Sequence, residues 1–293
     1  MITLGILLVY DILVSRGLVP ASEGITQYQS NQIRAERYFD GEVPRYDVVM
    51  VGSSLTDNIR SDYVGSEVYN LGMSGGSPCT GLRIVAEGKL QPKIVLVEMS
   101  PSIGYGADND LIRSVTSPTL TKIDNVFPMM RIEYQPVSVI VNCLKKREQS
   151  RLGSVQNRDK ELSVFDPVVR ARMVDEVVKQ GSASLSTADR ADLVRGAVDV
   201  KDNIRALEER GIHVILQVIP GENRVAQTVR ERQVMAVLDD EFPAGQYDWL
   251  APPPPREWVT KDGIHLTKEE AGVYGGYVKS RLGKYLNARV AAK

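Results

Sequence analysis

The sequence predicts an α/β fold: a three-layer α/β/α sandwich around a flavodoxin-like parallel sheet, with a lid-like insertion. Three observations predict it. Short apolar runs rich in β-branched residues recur at 48–51, 67–71, 92–98 and 212–220, each bounded by glycine, proline or serine. Stretches of helical spacing lie between them, and the runs lack the polar alternation of a half-exposed sheet, as strands covered on both faces do. The alternation breaks off at about 103–190 and then returns, which marks an insertion.

Taken in order, Met1 to Val19 is apolar but interrupted by Asp11 and Arg16. Its uncharged part is shorter than the ~20 residues a spanning helix needs. There is no basic leader and no clear small-residue cleavage site, although Pro20-Ala21-Ser22 follows. Three readings stay open: the end of a truncated membrane anchor, an interfacial helix, or an ordinary amphipathic helix. The reading adopted is a membrane-proximal segment over 1–22, with membrane association through 1–19, and one domain over 23–293. A helix is expected around Tyr28–Tyr38. Val48–Val51 reads as a buried strand stopped at Gly52, with a helix starting near Ser54–Asp57. Glu67–Leu71 is a second strand, leading through Gly72-Met-Ser-Gly-Gly-Ser-Pro78 into a helix over Thr80–Lys89. Pro92–Glu98 is a third strand, followed by the turn Met99–Ser102.

Within the insertion, Val139–Leu144 is apolar, Val164–Lys179 has helical spacing, and 147–162 and 180–187 are polar and loop-like. A helix then spans Ala191–Arg210 and stops at Gly211. Ile212–Pro220 is the fourth strand, and Ala226–Leu238 is helical. Pro252–Pro255 is a rigid extended run. It leads into Trp258–His265 and a last helix over Lys268–Ala288.

Composition narrows the function classes. Net charge is −1 without a basic patch, and aromatics are 6%, so neither phosphate-backbone nor base-stacking recognition of nucleic acid is expected. Two cysteines, Cys79 and Cys143, and two histidines, His213 and His265, make thiolate or polyhistidine metal sites improbable. No metal and no separate cofactor is expected. The cysteines form one disulfide or remain two thiols.

A serine at a strand-to-helix turn is displayed at the carboxyl end of the sheet, where open α/β folds bind ligands. Its N–H stands at a helix N-terminus, where negative charge is stabilised. Ser54 is therefore a candidate nucleophile, although Ser53 and Ser54 could equally cap a helix. A nucleophilic serine needs a base, and the base needs a group to orient it. Asp262 and His265 supply both within one turn, before a capping box at Thr267–Glu270. The bland alternative is a turn in which Asp262 bonds backbone N–H groups and His265 is solvated. His213, between Ile212 and Val214, reads as structural. A rival serine is Ser74, whose Gly72-Met-Ser-Gly-Gly76 fits the G-x-S-x-G elbow. Against it, Asp262 and His265 share one turn and Ser54 would have no role.

In this combination the chain resembles the SGNH (GDSL-type) hydrolase superfamily. Gly52-Ser-Ser-Leu55 stands where that family has Gly-Asp-Ser-Leu. Asn70-Leu-Gly-Met-Ser-Gly75 is similar to its second block, Val95-Leu-Val-Glu98 with its turn to the third, and Asp262-Gly-Ile-His265 to the fifth. The resemblance implies catalytic Ser54, Asp262 and His265, with oxyanion donors from Ser54, Gly75 and the third-block position, here Ser102 in place of the family's Asn. It implies an acyl-ester hydrolase or O-acyltransferase working through acyl-Ser54. Gly-Ser-Ser variants resemble the bacterial branch that modifies cell-surface glycans and exopolysaccharide. Acetyl groups on an exported glycan, and a location at the cell envelope on its periplasmic or extracellular side, are the corresponding expectations. Because Ser102 is a shorter donor than an amide, the alternative is a weak or inactive glycan-binding or assembly subunit of an envelope complex.

Overall fold

The computed structural model of the protein describes residues 2–40, 46–148 and 166–291. The polar stretch 147–162 lies, from 149 on, outside the described residues. The first helices are α1 (Ile2–Ser15) and α2 (Gln27–Phe39). Thr26 caps α2: its hydroxyl accepts from Gln29 N–H while the Gln29 side chain accepts from Thr26 N–H, the reciprocal box that satisfies two orphan donors. Then come β1 (Val48–Gly52), the short α3 (Ser54–Asp57) and α4 (Ser61–Val64), β2 (Val68–Gly72), α5 (Pro78–Glu87) and β3 (Ile94–Glu98). Ser77 caps α5 ahead of Pro78, which fits the first turn because its missing N–H has no partner to lose there.

In its described residues, the region read as an insertion is largely helical. A 3-10 turn at Pro101–Tyr105 leads into α6 (Asn109–Thr116) and α7 (Pro118–Val126). Two more 3-10 turns, Pro128–Met130 and Ile132–Tyr134, precede α8 (136–148), and α9 is Pro167–Gly181. The expected helix over 191–210 is α10 (Thr187–Glu209), capped by Ser186. After β4 (His213–Gln217), the expected helix over 226–238 divides into α11 (Asn223–Ala226) and α12 (Val229–Glu241), because Thr228 caps a fresh N-terminus. The chain ends in α13 (Lys268–Ala291).

The four strands form one parallel sheet in the order β2-β1-β3-β4. Leu216 and Trp249 make a further parallel bridge at the β4 edge. Strand side chains point alternately to opposite faces, and both faces are covered. Val49, Val51, Val95, Val97, Val214 and Leu216 enter a core with α2, α5, α6, α10 and α12. Val48, Met50, Ile94, Leu96 and Ile215 enter a second core with α4 and α13, roofed by Trp258 and Leu266. This is a three-layer α/β/α arrangement, and it explains why the strands read as unbroken apolar runs. Each fully buried Val or Leu contributes about 1.5–3 kcal/mol. The Arg210 guanidinium ties α10 to the end of α5, donating to the carbonyls of Val85, Ala86, Gly88 and Leu90 at 2.6–3.0 Å.

The start of the insertion differs from a lid. Leu111, Ile112 and Val115 of α6 are buried in the first core beside α5 and α2. α9 covers the sheet end, where Val174 and Val177 lie against Gly263.

Candidate active site

β1 and β2 are paired so that Gly52 lies opposite Gly72, and both strands then leave the sheet at its carboxyl edge. Ser54 and Ser74 each follow two residues later, so the two rival elbows rise side by side. Their hydrogen bonds separate them. Ser54 Oγ lies 2.8 Å from His265 Nε2. The Ser74 hydroxyl donates to Asp57, whose carboxylate also pairs with Arg34 at 2.5 Å. The site is therefore built on Ser54.

His265 Nδ1 lies 2.7 Å from Asp262 Oδ2. An ionised carboxylate only accepts, so Nδ1 carries the proton and Nε2 is left to accept from the Ser54 hydroxyl. The turn preorganises itself: Asp262 Oδ1 accepts from Ile264 N–H at 3.0 Å and from His265 N–H at 2.8 Å. Burial pushes the Asp262 carboxyl up. The hydrogen bonds from the His265 ring and from the two backbone N–H groups outweigh that and hold it at about 2. Asp262 thus bonds the backbone and the imidazole together. Beyond the turn, Thr267 accepts from Glu270 N–H at 3.2 Å, but the Glu270 carboxylate pairs with Arg256 instead of closing the capping box.

The nucleophile turn is built on Glu98, a wholly buried carboxyl group at the end of β3. One oxygen accepts from Ser53 N–H (2.9 Å), Thr56 N–H (3.0 Å) and the Thr56 hydroxyl (2.7 Å). The other accepts from the hydroxyls of Ser53 (2.6 Å) and Ser100 (2.7 Å). Glycine is required at position 52 because a Cβ there would collide with Thr56 Oγ1 and Glu98 Oε2. Leu55 N–H is capped by Ser53 Oγ at 3.2 Å. Among the described residues, the Ser54 N–H alone in this turn makes no hydrogen bond.

The second loop repeats the pattern. Met73 N–H donates to Gly52 O (2.8 Å), Ser74 N–H to Asn31 Oδ1 (3.0 Å) and Gly76 N–H to Met73 O (2.8 Å). Gly75, held at φ +68°, has an N–H without a hydrogen bond among the described residues. The two backbone donors expected from the sequence are thus both unengaged. Ser102 is placed differently from the expectation. The Ser100 proton goes to Glu98, so the Ser102 hydroxyl, 2.7 Å from Ser100 Oγ and 3.4 Å from Glu98 Oε1, spends its one proton inside the Glu98 cluster. In this arrangement it supports the buried carboxyl.

No family model and no curated protein matches the chain. Two solved structures from Bacteroides are similar to it. One, a presumptive acylhydrolase of Bacteroides fragilis, is 15% identical with a TM-score of 0.42, the match covering 85% of this chain and 96% of that one. The other, a GDSL-like lipase of Bacteroides thetaiotaomicron, is 12% identical with a TM-score of 0.43, covering 87% of this chain and 99% of that one.

Other polar and thiol residues, near this centre and away from it, have surroundings of their own. Asn70 ties α3 to β2, donating to Thr56 O (2.7 Å) and Ile59 O (2.5 Å) and accepting from Gly72 N–H (2.8 Å). Asn58 braces the histidine loop: its amide donates to Leu266 O at 2.8 Å and its carbonyl accepts from Lys261 Nζ at 3.0 Å. His213 pairs with Asp248 at 2.5 Å at the amino end of β4, across the sheet from Ser54. Cys79 is buried and its thiol is pushed up to about 12 by that burial, whereas Cys143 is exposed; both are free. Sequence reasoning missed Glu98 as the hub of the turn. The signal was there, since a glutamate closing a wholly apolar strand needs buried partners. The helix α2 is expected from the sequence, but its contact with the second loop is not, because that contact spans 43 residues.

Proposed function

We propose that this chain is an SGNH-type ester hydrolase or O-acyltransferase working through acyl-Ser54. The observation that carries the proposal is the continuous chain from Ser54 Oγ through His265 to Asp262, at 2.8 and 2.7 Å. Ser54 Oγ attacks the ester carbonyl carbon as its proton passes to His265 Nε2. The negative charge that forms on the carbonyl oxygen falls to the unengaged N–H groups of Ser54 and Gly75. Collapse breaks the bond to the alkoxide, which takes the proton from His265 and leaves as the alcohol. In the second half His265 removes a proton from water or a sugar hydroxyl, which attacks the acyl-serine. The product is a carboxylic acid or a new ester, and Ser54 regains its proton.

For the acyl group we propose acetyl, and for the carrier a cell-surface or exported glycan, in keeping with the Gly-Ser-Ser resemblance. Membrane association through residues 1–19 and a place at the cell envelope belong to the same proposal. α1 supports it by turning Tyr10 and Asp11 inward. Tyr10 donates to Tyr134 O at 2.7 Å, and Asp11 accepts from Met129 N–H at 3.0 Å. Ile6, Val9 and Ile12 remain 63%, 58% and 50% exposed. No described helix is long and apolar enough to cross a membrane.

The test is turnover of an aryl acetate and labelling by a serine-directed fluorophosphonate. Both are expected in the wild-type protein and absent in Ser54→Ala, with Ser74→Ala retaining labelling. A folded wild-type protein that neither turns over nor labels would overturn the enzyme reading in favour of a glycan-binding subunit.

A further inference from the structure

With Ser102 engaged by the Glu98 cluster, the oxyanion site has two backbone donors and lacks a side-chain one. The polar face of α2 lies along the loop that carries Gly75. Gln27, Asn31 and Arg34 recur at spacings of four and three residues, which puts them on one side of the helix. Each meets the loop at a different residue. Arg34 donates to Gly72 O and pairs with Asp57. Asn31 grips Ser74 twice, its Nδ2 donating to Ser74 O at 2.9 Å and its Oδ1 accepting from Ser74 N–H at 3.0 Å. The hydrogen bond to Ser74 O holds the peptide plane between Ser74 and Gly75, and so the direction of the Gly75 N–H, while the bond from Ser74 N–H anchors the plane before it. Gln27 arrives at Gly75 itself: a Cβ built there would lie 2.7 Å from Gln27 Nε2, against 3.6 Å from Gln27 Oε1. The amide thus presents its donor end to this residue, and among the described residues it makes no hydrogen bond of its own.

We infer that α2 completes the oxyanion site, with the Gln27 amide as its side-chain donor and Asn31 as the positioning residue for the Gly75 N–H. The inference rests on the Ser54 reading proposed above. A donor of this kind strengthens its bond only as charge develops on the substrate oxygen, so its loss appears in kcat and leaves KM nearly unchanged.

The experiment measures aryl-acetate kinetics in Gln27→Ala, Gln27→Glu and Asn31→Ala, with fluorophosphonate labelling and thermal unfolding as controls. Gln27 is exposed, so its variants are expected to unfold at the wild-type temperature. Gln27→Ala is expected to lower kcat by roughly 10²-fold at nearly constant KM, and Gln27→Glu to lower it further. A phenylboronic acid, which forms a tetrahedral adduct on an active serine, is expected to shift the Gln27 side-chain amide resonance in the wild-type protein. Wild-type kcat in Gln27→Ala, or an unmoved Gln27 resonance in the adduct, overturns this inference while leaving Ser54 as nucleophile. Absence of labelling, turnover and adduct in the wild-type protein overturns both.

Discussion

At the scale of single residues, the site depends on two carboxyl groups with opposite tasks. Asp262 is held at about 2 against a usual 3.8, so it is ionised wherever His265 has to be oriented. Because its folded value is lowered, its stabilising contribution is present above about pH 4 and is lost as pH falls toward 2. The urea midpoint of Asp262→Asn is therefore expected to lie below wild type at pH 5, with the gap narrowing at pH 2.5. A constant gap would contradict this account. Activity should respond more strongly, since a residue that fixes the base tautomer is worth up to ~10⁴-fold in kcat. Glu98 touches no substrate and instead sets the shape of the turn. Glu98→Gln replaces one accepting oxygen by an amide that cannot accept. Each buried donor orphaned in this way costs about 1–3 kcal/mol. Calorimetry should register a lower melting temperature together with reduced turnover, and a variant that melts with wild type would show that the cluster tolerates the swap.

At the scale of elements, α2 links the loop at the site to the outer helices. Its Glu36 is raised to about 7 from 4.5, first by burial and then by the nearby charges of Asp124 and Asp40; Gln32 and the Ile132 backbone oppose this with hydrogen bonds. The native state thus holds the Glu36 proton more tightly than the unfolded chain. That contribution is complete below pH 4.5 and is lost as pH rises to about 7. Between pH 5 and pH 8 the wild-type urea midpoint should fall more than that of Glu36→Gln, and parallel curves would refute the assignment. The strands and long helices were legible because burial on two faces and helical periodicity leave a mark on local sequence. Gly211 after α10 and the Thr267 cap before α13 were legible for the same reason. The run 101–135 was not, because its helices are short and its 3-10 turns have no period to read. The stripe of Gln27, Asn31 and Arg34 was invisible because polar residues on a helix face show nothing of which loop they meet.

At the scale of the whole molecule, two cores sandwich one parallel sheet, and the site sits where the first two strands end together. The free cysteines lie in different surroundings, one buried on α5 and one exposed on α8. A thiol reagent should therefore modify one cysteine in the native protein and two after denaturation, and reducing agent should leave the melting temperature unchanged. Two rapid modifications in the native state would show that α5 is less protected than its packing implies. The triad residues were legible because base and orienting carboxylate share one turn and the serine stands beside a glycine. Which serine meets His265, and what Ser102 bonds, depends on directions of hydroxyl groups that no spacing encodes.

The compactness of the Asp262–His265 turn has a kinetic corollary. Three backbone steps separate these partners, so they find each other by local motion, whereas 211 residues separate His265 from Ser54. Between the serine and its base only one long loop must close, and the entropy of that closure grows slowly with its length. Reactivity of Ser54 regained during refolding is therefore expected to appear no earlier than the meeting of β1 with the Asp262–His265 turn.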